Sequence, residues 1–348
     1  MDLNTPGFWK GKKVFVTGHT GFKGSWLCFW LDQMGAIVSG YSLPAESSPN
    51  LSHLLNFSST YKSHFDDVRN FSVLSRTLQA ADPEIIFHLA AQPIVSEGYN
   101  FPLETFSTNI MGTANLLEAA RSCPNLKVFL NITTDKVYDN STQAAHKESD
   151  LLGGKDPYSA SKVCSEFLTS AMRDSFFTGT KVATARAGNV IGGGDWALNR
   201  IFPDIYRAHE SNTALEIRNP SSVRPWQHVL DSVSGYLMYA EYLFASGNDY
   251  VKALNFSPDH ASAWTVDEIL RFIQKNFPEY PFQVNYVGAT FKEEAKLVLD
   301  STLARKTLGW KSRLNTPEAI SRTIEWYCHF SEGKKADDLI RQQIQNYL

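Results

Sequence analysis

The stretch "KKVFVTGHTGFKGSWL", residues 12–27, decides the fold. It starts with a short apolar, β-branched run, which is typical of a strand buried on both faces. Three evenly spaced glycines then lead into an apolar helical pattern. Such glycines permit a tight turn, let backbone N–H groups approach a pyrophosphate at the helix N-terminus, and let helix and strand pack closely. The stretch therefore predicts a dinucleotide-binding turn, with contacts from Gly18, Thr20, Gly21, Phe22, Lys23 and Gly24.

The rest of the chain repeats this strand–helix alternation. Helices are predicted over residues 102–122 and from about Tyr158 to residue 175, between buried apolar runs that read as strands over residues 36–42, 84–90, 127–133 and 181–190. Alternation at this spacing predicts an α/β fold, a doubly wound parallel Rossmann sheet with a smaller, mainly helical C-terminal substrate lobe.

The same reading divides the chain into two closely packed parts with a cleft between them. Residues 251–257 are predicted to form a strand that returns to the main sheet. We therefore assign residues 1–190, with about 230–258, to the dinucleotide-binding domain. The substrate-binding lobe comprises residues 191–229 and 259–348.

Composition excludes several classes of function. The 348 residues are 43% hydrophobic and 20% charged, with a net charge of −3, which provides no broad attraction for nucleic acid or anionic membranes. No stretch approaches the roughly 18 apolar residues of a membrane span, and the N-terminus lacks a signal-peptide core. The four cysteines lie far apart, so neither a metal site nor a disulfide is expected. These features predict a cytoplasmic protein.

The end of the second predicted strand bears on the choice of dinucleotide. An acidic residue there would bind the adenosine ribose of NAD, and a nearby arginine would bind the 2′-phosphate of NADP. Residues 40–43 read "GYSL" and supply neither, so NAD is favoured but the choice stays open. Asp67 and Val68, at the expected end of the third strand, could flank the adenine; Asp67 could equally be a solvated loop residue.

A run of polar residues ends an apolar strand in "NITTDKVYDN", residues 131–140, and "YSASK" follows at 158–162. A free tyrosine, with a pKa near 10, is a poor base at neutral pH, but an ammonium one helical turn away favours its phenolate form. We expect the side chains of both segments to converge in the cleft: Thr134, Asp135, Lys136, Tyr158 and Lys162.

Together these motifs resemble the extended short-chain dehydrogenase/reductases, and within them the nucleotide-sugar 4,6-dehydratases. The resemblance covers essentially the full length and is carried by "VTGHTGFKGSWL", "IFHLAAQP", "TNIMGTANLLEA", "TTDKVYDN", "DPYSASK", "ARAGNVIGGGDWALNRIFPD" and "SVRPWQHVLD". Dehydratases that act on dTDP-glucose or GDP-mannose have a glutamate where this chain has Lys136. That lysine and the last two motifs resemble family members that act on CDP-glucose, which implies NAD as cofactor and CDP-glucose as substrate.

The resemblance implies loss of water across C5 and C6 of a hexose after temporary oxidation at C4. Tyr158 would take the 4-hydroxyl proton while a hydride moves from C4 to the nicotinamide, to return later to C6. Thr134 would hydrogen-bond the 4-oxygen, and the counterpart of Asp135 in the family helps to expel water. Lys136 would either remove the C5 proton or stay charged and stabilise the enolate. A purely structural ion pair with Asp135 is a third possibility.

Other residues are expected to bind the two ligands. Arg224 is expected to hold the diphosphate, because a planar guanidinium makes bidentate contacts with oxygen anions. Arg200 and Asn189 are weaker candidates for the same anion, and Gln92 is a further expected substrate contact.

The segment Leu89, Ala90 and Ala91 is expected to pass close to the nicotinamide ribose. Asn109 should tie neighbouring strands near the site, as similar positions do in the superfamily. Trp196 and Trp226 either border the cytosine or fill the smaller lobe.

Two alternative functions remain: another nucleotide-sugar dehydratase or a 4-epimerase, and a non-enzymatic dinucleotide sensor. Sensors built on this fold tend to lose the tyrosine, which this chain keeps. The apolar faces of helices 104–120 and 158–175 exceed what one sheet face requires, so we expect a homodimer formed through paired helices. The resemblance also implies a product that feeds dideoxy-sugar synthesis for bacterial surface polysaccharide (lipopolysaccharide O-antigen).

Overall fold

The computed structural model describes residues 6–45, 47–140, 144–258, 263–288 and 297–348. Within them the strands are β1 Lys13–Thr17, β2 Ile37–Ser42, β3 Lys62–Phe65, β4 Ile85–His88, β5 Val128–Ile132, β6 Lys181–Ala187, β7 Val190–Ile191, β8 Ala214–Ile217, β9 Val223–Pro225, β10 Gln227–His228, β11 Ala253–Phe256, β12 Ala263–Thr265 and β13 Gln283–Tyr286. The helices are α1 Pro6–Trp9, α2 Phe22–Gln33, α3 Leu51–Leu54, α4 Phe71–Ala81, α5 Val95–Asn100, α6 Pro102–Phe106, α7 Gly112–Ala120, α8 Pro157–Phe176, α9 Ile201–Ser211, α10 Val229–Ala245, α11 Val266–Asn276, α12 Thr302–Leu308, α13 Thr316–Ser331 and α14 Ala336–Tyr347.

Seven strands form one sheet in the order β11-β6-β5-β4-β1-β2-β3, with every neighbouring pair parallel. The chain moves outward from β1 through β2 and β3, then returns to β4 on the other side of β1. In doubly wound sheets ligands bind at the carboxyl ends of the strands near such a reversal. The predicted doubly wound parallel sheet is confirmed, and β11 is the strand that was predicted to return to it.

Successive side chains along the central strands point to opposite faces of the sheet. Val14 and Val16 enter the larger core with α2, α10 and the C-terminal helices, whereas Phe15 enters the core formed with α4 and α7. Every residue of β4 and β5 is buried. Burial on both faces explains why these strands read as continuous apolar runs rather than as alternating patterns.

The C-terminal region combines helices α11 to α14 with short strands. Three two-stranded pairs, β7–β10, β8–β13 and β9–β12, were not predicted, because strands of two to four residues leave no readable alternation. Helix α14 packs back on α2, where the Tyr347 and Trp30 rings lie 5.9 Å apart. The division into two domains remains a prediction. No helix in the described part of the chain is long and apolar enough to cross a membrane.

The helix predicted over residues 102–122 is interrupted. A π-helical turn, Ser107–Met111, joins α6 to α7, and such turns are frequent at functional sites. The Asn109 side chain within it accepts a hydrogen bond from the Gln92 backbone N–H at 2.8 Å and donates one to Ser161 Oγ at 2.8 Å. Asn109 therefore joins the loop after β4 to α8, rather than two neighbouring strands.

Candidate active site

A cavity of about 910 Å³ lies beyond the carboxyl ends of β5 and β6, beside the C-terminal region. Its walls come from the segments after these two strands, from the first turns of α2 and α8, and from α9, β8 and β9. The predicted site residues that line it are Phe22, Lys23, Thr134, Lys136, Tyr158, Asn189, Arg200 and Arg224. Side chains from distant parts of the sequence therefore face one space.

The segment after β5 leaves the sheet as a 3-10 turn, Asp135–Val137. Asp135 is 1% exposed and lies beneath the cavity, where Thr134 Oγ1 donates to its Oδ1 at 2.9 Å. Lys136 Nζ lies 3.2 Å from the same oxygen, and Asn189 Nδ2 donates to Oδ2 at 3.4 Å. All three donors line the cavity, so they connect the buried carboxylate to that space.

Tyr158 lies in the first turn of α8. Asp156 caps this helix by accepting from the Ser159 N–H at 3.0 Å, and Pro157 follows at a position that favours helix initiation. Burial raises the pKa of the Tyr158 phenol to about 12; Thr134, which hydrogen-bonds it, and the charge of Arg200 oppose the rise. The protein's own groups keep the phenol protonated at neutral pH, so its use as a base requires further positive charge beside it.

Lys162 lies one turn further along α8 and is buried. Its Nζ donates to the carbonyl oxygen of Ile132 at 3.0 Å, so its hydrogen bond goes to the end of β5 rather than to Tyr158. Burial lowers the pKa of this ammonium to about 8, and the nearby Glu166 carboxylate opposes the decrease. Lys162 therefore ties α8 to the strand that carries the polar segment.

Lys23 was predicted only as part of the glycine turn, yet it belongs to a group of cations at the cavity. Burial lowers its pKa to about 7, with contributions from Lys162, Arg200 and Lys136, while Asp135 opposes them. Arg200 is itself held by Asp195, with Nη1 2.9 Å from Oδ2. This concentration of positive charge suits an anionic ligand such as a diphosphate.

The glycine turn has the geometry that a dinucleotide needs. Gly18 has a φ of 75°, and a Cβ there would lie 2.7 Å from the Ala90 backbone nitrogen. A Cβ on Gly24 would clash with the Gly18 carbonyl, and Gly21 is the N-cap of α2. The backbone of Leu89 and Ala90 therefore approaches the turn closely, and the cradle fits a pyrophosphate at the helix N-terminus; the contact of Ala91 with the cofactor stays a prediction.

Asp67 and Val68 follow β3, as predicted. Arg69 Nη2 lies 2.5 Å from Asp67 Oδ2, and its hydrogen bonds lower the pKa of that carboxyl. Val68 is buried against Gly112, where a Cβ would lie 2.6 Å from Val68 Cγ2. Asp67 is therefore an ion-paired residue, and its contact with adenine stays a prediction.

Sequence reasoning missed a polar group beside the glycine turn. His19 Nε2 lies 2.6 Å from Ser63 Oγ, and His19 Nδ1 lies 3.1 Å from Ser42 Oγ, which in turn lies 2.9 Å from Thr20 Oγ1. Burial lowers the pKa of His19 to about 4, so it is neutral at physiological pH. Its partners on β2 and β3 are distant in sequence, so no local sequence pattern predicted these hydrogen bonds.

Of the residues predicted to contact the substrate, some line the cavity and one is held within a loop. Asn189 has a left-handed φ of 48° and reaches Asp135, as described above. Arg224 is 6% exposed and lines the cavity from β9. Gln92 is held inside the loop after β4, where its Nε2 donates to Thr105 Oγ1 at 2.7 Å. A direct substrate contact of Gln92, and those of Asn189, Arg200 and Arg224, remain predictions.

The two tryptophans also lie in different surroundings. Trp226 lines the cavity. Trp196 is 6% exposed and packs among aromatic side chains, with its ring 5.5 Å from that of Tyr327. Both tryptophans are buried, but of the two only Trp226 lines the cavity, and its contact with the cytosine stays a prediction.

Comparison with known proteins gives consistent matches over most of the chain. The family model for GDP-mannose 4,6 dehydratase matches residues 15–323. A CDP-glucose 4,6-dehydratase of Salmonella typhimurium is 43% identical over 352 aligned residues, covering 98% of this chain and 97% of the relative. A dTDP-glucose 4,6-dehydratase of the same species is 25% identical, covering 90% of this chain and 92% of the relative.

Solved structures support the fold. An epimerase from Methanothermobacter thermautotrophicus superposes with a TM-score of 0.82 at 23% identity, covering 96% of this chain and 95% of that chain. A UDP-glucuronic acid 4-epimerase from Bacillus cereus, solved with UDP-glucuronic acid and NAD, superposes with a TM-score of 0.78 at 22% identity. This match covers 91% of this chain and 99% of that chain. The family match and the 43% identity over nearly the whole chain agree with this fold. This chain accordingly belongs to the nucleotide-sugar 4,6-dehydratases of the extended short-chain dehydrogenase/reductase family.

Proposed function

We propose that this chain catalyses the NAD-dependent dehydration of CDP-glucose to CDP-4-keto-6-deoxyglucose. One observation carries the choice of nucleotide: the relative named CDP-glucose 4,6-dehydratase is 43% identical over 98% of the chain, whereas the dTDP-glucose relative from the same species is 25% identical. The cavity supports the choice of reaction, because Thr134, Lys136 and Tyr158 face it together.

The glycine turn and the adjoining backbone of Leu89–Ala91 fit NAD as the cofactor. Bound there, NAD would supply the hydride acceptor for oxidation at C4, the hydride donor for C6, and the positive charge that favours the Tyr158 phenolate. Residues 40–43 provide no arginine for a 2′-phosphate, which favours NAD over NADP.

Tyr158 and Thr134 act on the 4-hydroxyl group. Tyr158, as phenolate, takes the hydroxyl proton as C4 becomes a ketone, and Thr134 orients the oxygen by hydrogen bonding. Lys162 holds α8 against the end of β5, which keeps the phenol beside Thr134. Burial and the charges of Asp135 and Asp156 oppose formation of the phenolate, whereas the hydrogen bond with Thr134 and the positive charge of Arg200 favour it.

Asp135 and Lys136 act on C5 and C6. The new ketone acidifies the C5–H bond. With the proton of the Lys136–Asp135 pair on the carboxyl group, the neutral Lys136 amine removes the C5 proton, and Asp135 delivers its proton to the departing 6-hydroxyl, which leaves as water. The 3.2 Å separation of Lys136 Nζ from Asp135 Oδ1 places a base and an acid side by side. A charged Lys136 that only stabilises the enolate is the second role compatible with this geometry.

Turnover of CDP-glucose tests the proposed function. Purified protein with NAD should convert CDP-glucose to a 4-keto sugar, detected by its absorbance in alkali, and should act more slowly on dTDP-, UDP- and GDP-hexoses. Epimerisation at C4 with retention of the 6-hydroxyl would instead support the 4-epimerase alternative. Tight binding of NAD without turnover of any of these sugars would support a dinucleotide sensor.

We also expect a homodimer. The helices α6 to α8, with the π-helical turn, carry large exposed apolar side chains: Leu103 (82% exposed), Met111 (53%), Phe167 (59%) and Phe176 (51%). Pairing these helices across a two-fold axis would bury them. Light scattering at micromolar concentration should give twice the 39.0 kDa chain mass, and a monomeric mass would contradict the prediction.

The cytoplasm is the proposed location, with synthesis of surface polysaccharide (lipopolysaccharide O-antigen) as the proposed context. All four cysteines are free, which suits a reducing compartment. A 4-keto-6-deoxy sugar is a reactive intermediate, so enzymes that aminate, reduce or deoxygenate it must act next. Fractionation of producing cells would test the location.

A further inference from the structure

The polar segment Thr134–Lys136 lies beyond the last ladder residue of β5, so its position depends on the residues at its two ends. At one end, Thr133 Oγ1 donates to Glu166 Oε1 at 2.5 Å. At the other, the Tyr138 hydroxyl accepts from Arg186 Nη1 at 2.7 Å and donates to Asn255 Oδ1 at 2.7 Å. Neither anchor is made to a neighbour in sequence.

Glu166 and Arg186 form one buried ion pair. Arg186 Nε lies 2.9 Å from Glu166 Oε1 and Arg186 Nη2 lies 2.9 Å from Oε2, so the contact is bidentate. Each side chain is 5% exposed. Burying two charges costs solvation energy, and similar-sized apolar residues often stabilise a core equally well. The pair therefore calls for a role other than stability.

The pair also connects the polar segment to the tyrosine. Glu166 lies four residues after Lys162 and eight after Tyr158, so all three lie near one face of α8. Glu166 fixes one end of the polar segment through Thr133. It fixes the other end through Arg186, which binds Tyr138, so both ends are held relative to this helix. The Arg186 guanidinium also lies 5.1 Å from the Tyr138 ring centroid.

We propose that the Glu166–Arg186 pair is a positioning device, which holds Thr134–Lys136 in register with Tyr158 across the cavity. The inference rests on the proposed function for its kinetic consequence. Neither residue of the pair lines the cavity. Both are positioning residues, because they act through Thr133 and Tyr138 rather than on the sugar.

Two threonines that bind Glu166 provide the test. Thr133 also lines the cavity and Thr184 does not, so hydrogen exchange is measured beside kcat to separate positioning from a substrate contact. Thr133 and Thr184 are both buried, and each donates one hydrogen bond to Glu166, at 2.5 Å to Oε1 and 2.9 Å to Oε2 respectively. Thr184 lies in the middle of β6 and has no link to the polar segment along the chain. Thr133→Val and Thr184→Val should lower the melting temperature by similar amounts.

Only Thr133→Val should impair catalysis. Misplacing catalytic groups by about 1 Å can lower the rate by about 100-fold. We therefore expect kcat for CDP-glucose to fall by roughly 10- to 100-fold in Thr133→Val, with KM changed by less than about two-fold. In Thr184→Val, kcat should change by less than about two-fold. Thr133→Ser, which keeps the hydroxyl, should restore kcat. Equal kcat values for the two valine variants would overturn the proposal.

A second measurement does not depend on the substrate. Amide hydrogen exchange over residues 134–138 should be faster in Thr133→Val than in Thr184→Val, because only the first variant releases this segment from Glu166. Equal exchange in the two variants would overturn the positioning role. Failure of the unmodified protein to turn over CDP-glucose would contradict the proposed function instead, and the exchange comparison would still decide the positioning role.

Discussion

Replacing Tyr158 with phenylalanine is expected to lower kcat for CDP-glucose by about 10²- to 10⁴-fold, the usual contribution of a positioned proton-transfer group. The variant keeps the ring that fills the buried site but loses the oxygen that takes the 4-hydroxyl proton. Oxidation at C4 should therefore stop, and stopped-flow absorbance should show no transient NADH. Calorimetry should still detect binding of CDP-glucose, because the residues proposed to bind the diphosphate, Arg200 and Arg224, are unchanged.

Tyr239→Phe is the matched control for this experiment. Its hydroxyl lies on α10 and donates to the Val251 carbonyl oxygen at 2.7 Å, and the residue is fully buried. Loss of this hydrogen bond should lower the free energy of unfolding by about 1 kcal/mol and leave kcat unchanged. If Tyr158→Phe retained kcat to the same extent as Tyr239→Phe, the assignment of Tyr158 as the base would be wrong.

Replacing Lys136 with alanine should remove the group that we propose takes the C5 proton. We expect kcat to fall by about 10²- to 10⁴-fold, together with loss of solvent exchange at C5. Lys136→Glu should keep more of both activities than the alanine variant, because a carboxylate at this position can still accept a proton. Proton NMR of the sugar in D₂O measures the exchange directly.

Lys252→Ala controls for the loss of a lysine from an ion pair. Lys252 Nζ lies 3.8 Å from Asp174 Oδ1 on the surface, and both side chains are more than half exposed. This variant should behave as the unmodified protein does. Unchanged exchange and turnover in both Lys136 variants would remove Lys136 from the chemistry. Exchange that persists in Lys136→Ala while elimination slows would assign it to enolate stabilisation instead.

The fold was predictable because local sequence patterns, the apolar runs and the glycine spacing, indicate its strands and its first turn. The apolar runs of β1, β4 and β5 arise from burial on both faces of the sheet. The glycines at 18 and 24 are required where backbone approaches backbone, so their spacing, between a buried strand and a helical pattern, indicated the turn. The short strand pairs of the C-terminal region and the π-helical turn left no comparable pattern, because each depends on contacts made by residues far apart in sequence.

The site was predictable in part for the same reason. Thr134 and Lys136 follow the end of β5, Tyr158 lies in the first turn of α8, and a parallel sheet brings such segments to one edge. By contrast, the pairing of Glu166 with Arg186 joins a helix to a strand, and the cations around Lys23 come from separate segments. The sequence does not indicate which of these charged residues lie close together in the fold. The hydrogen bond of Lys162 to Ile132 was missed on similar grounds.

The fate of the hydrogen at C4 tests the account most directly. CDP-glucose carrying deuterium at C4 should be incubated in H₂O with the protein and NAD, and the product examined by NMR and mass spectrometry. If one cavity oxidises C4, eliminates water and returns the same hydride, the deuterium will be found in the C6 methyl group of a 4-keto sugar. A product that keeps its 6-hydroxyl, or a methyl group without the deuterium, would contradict it.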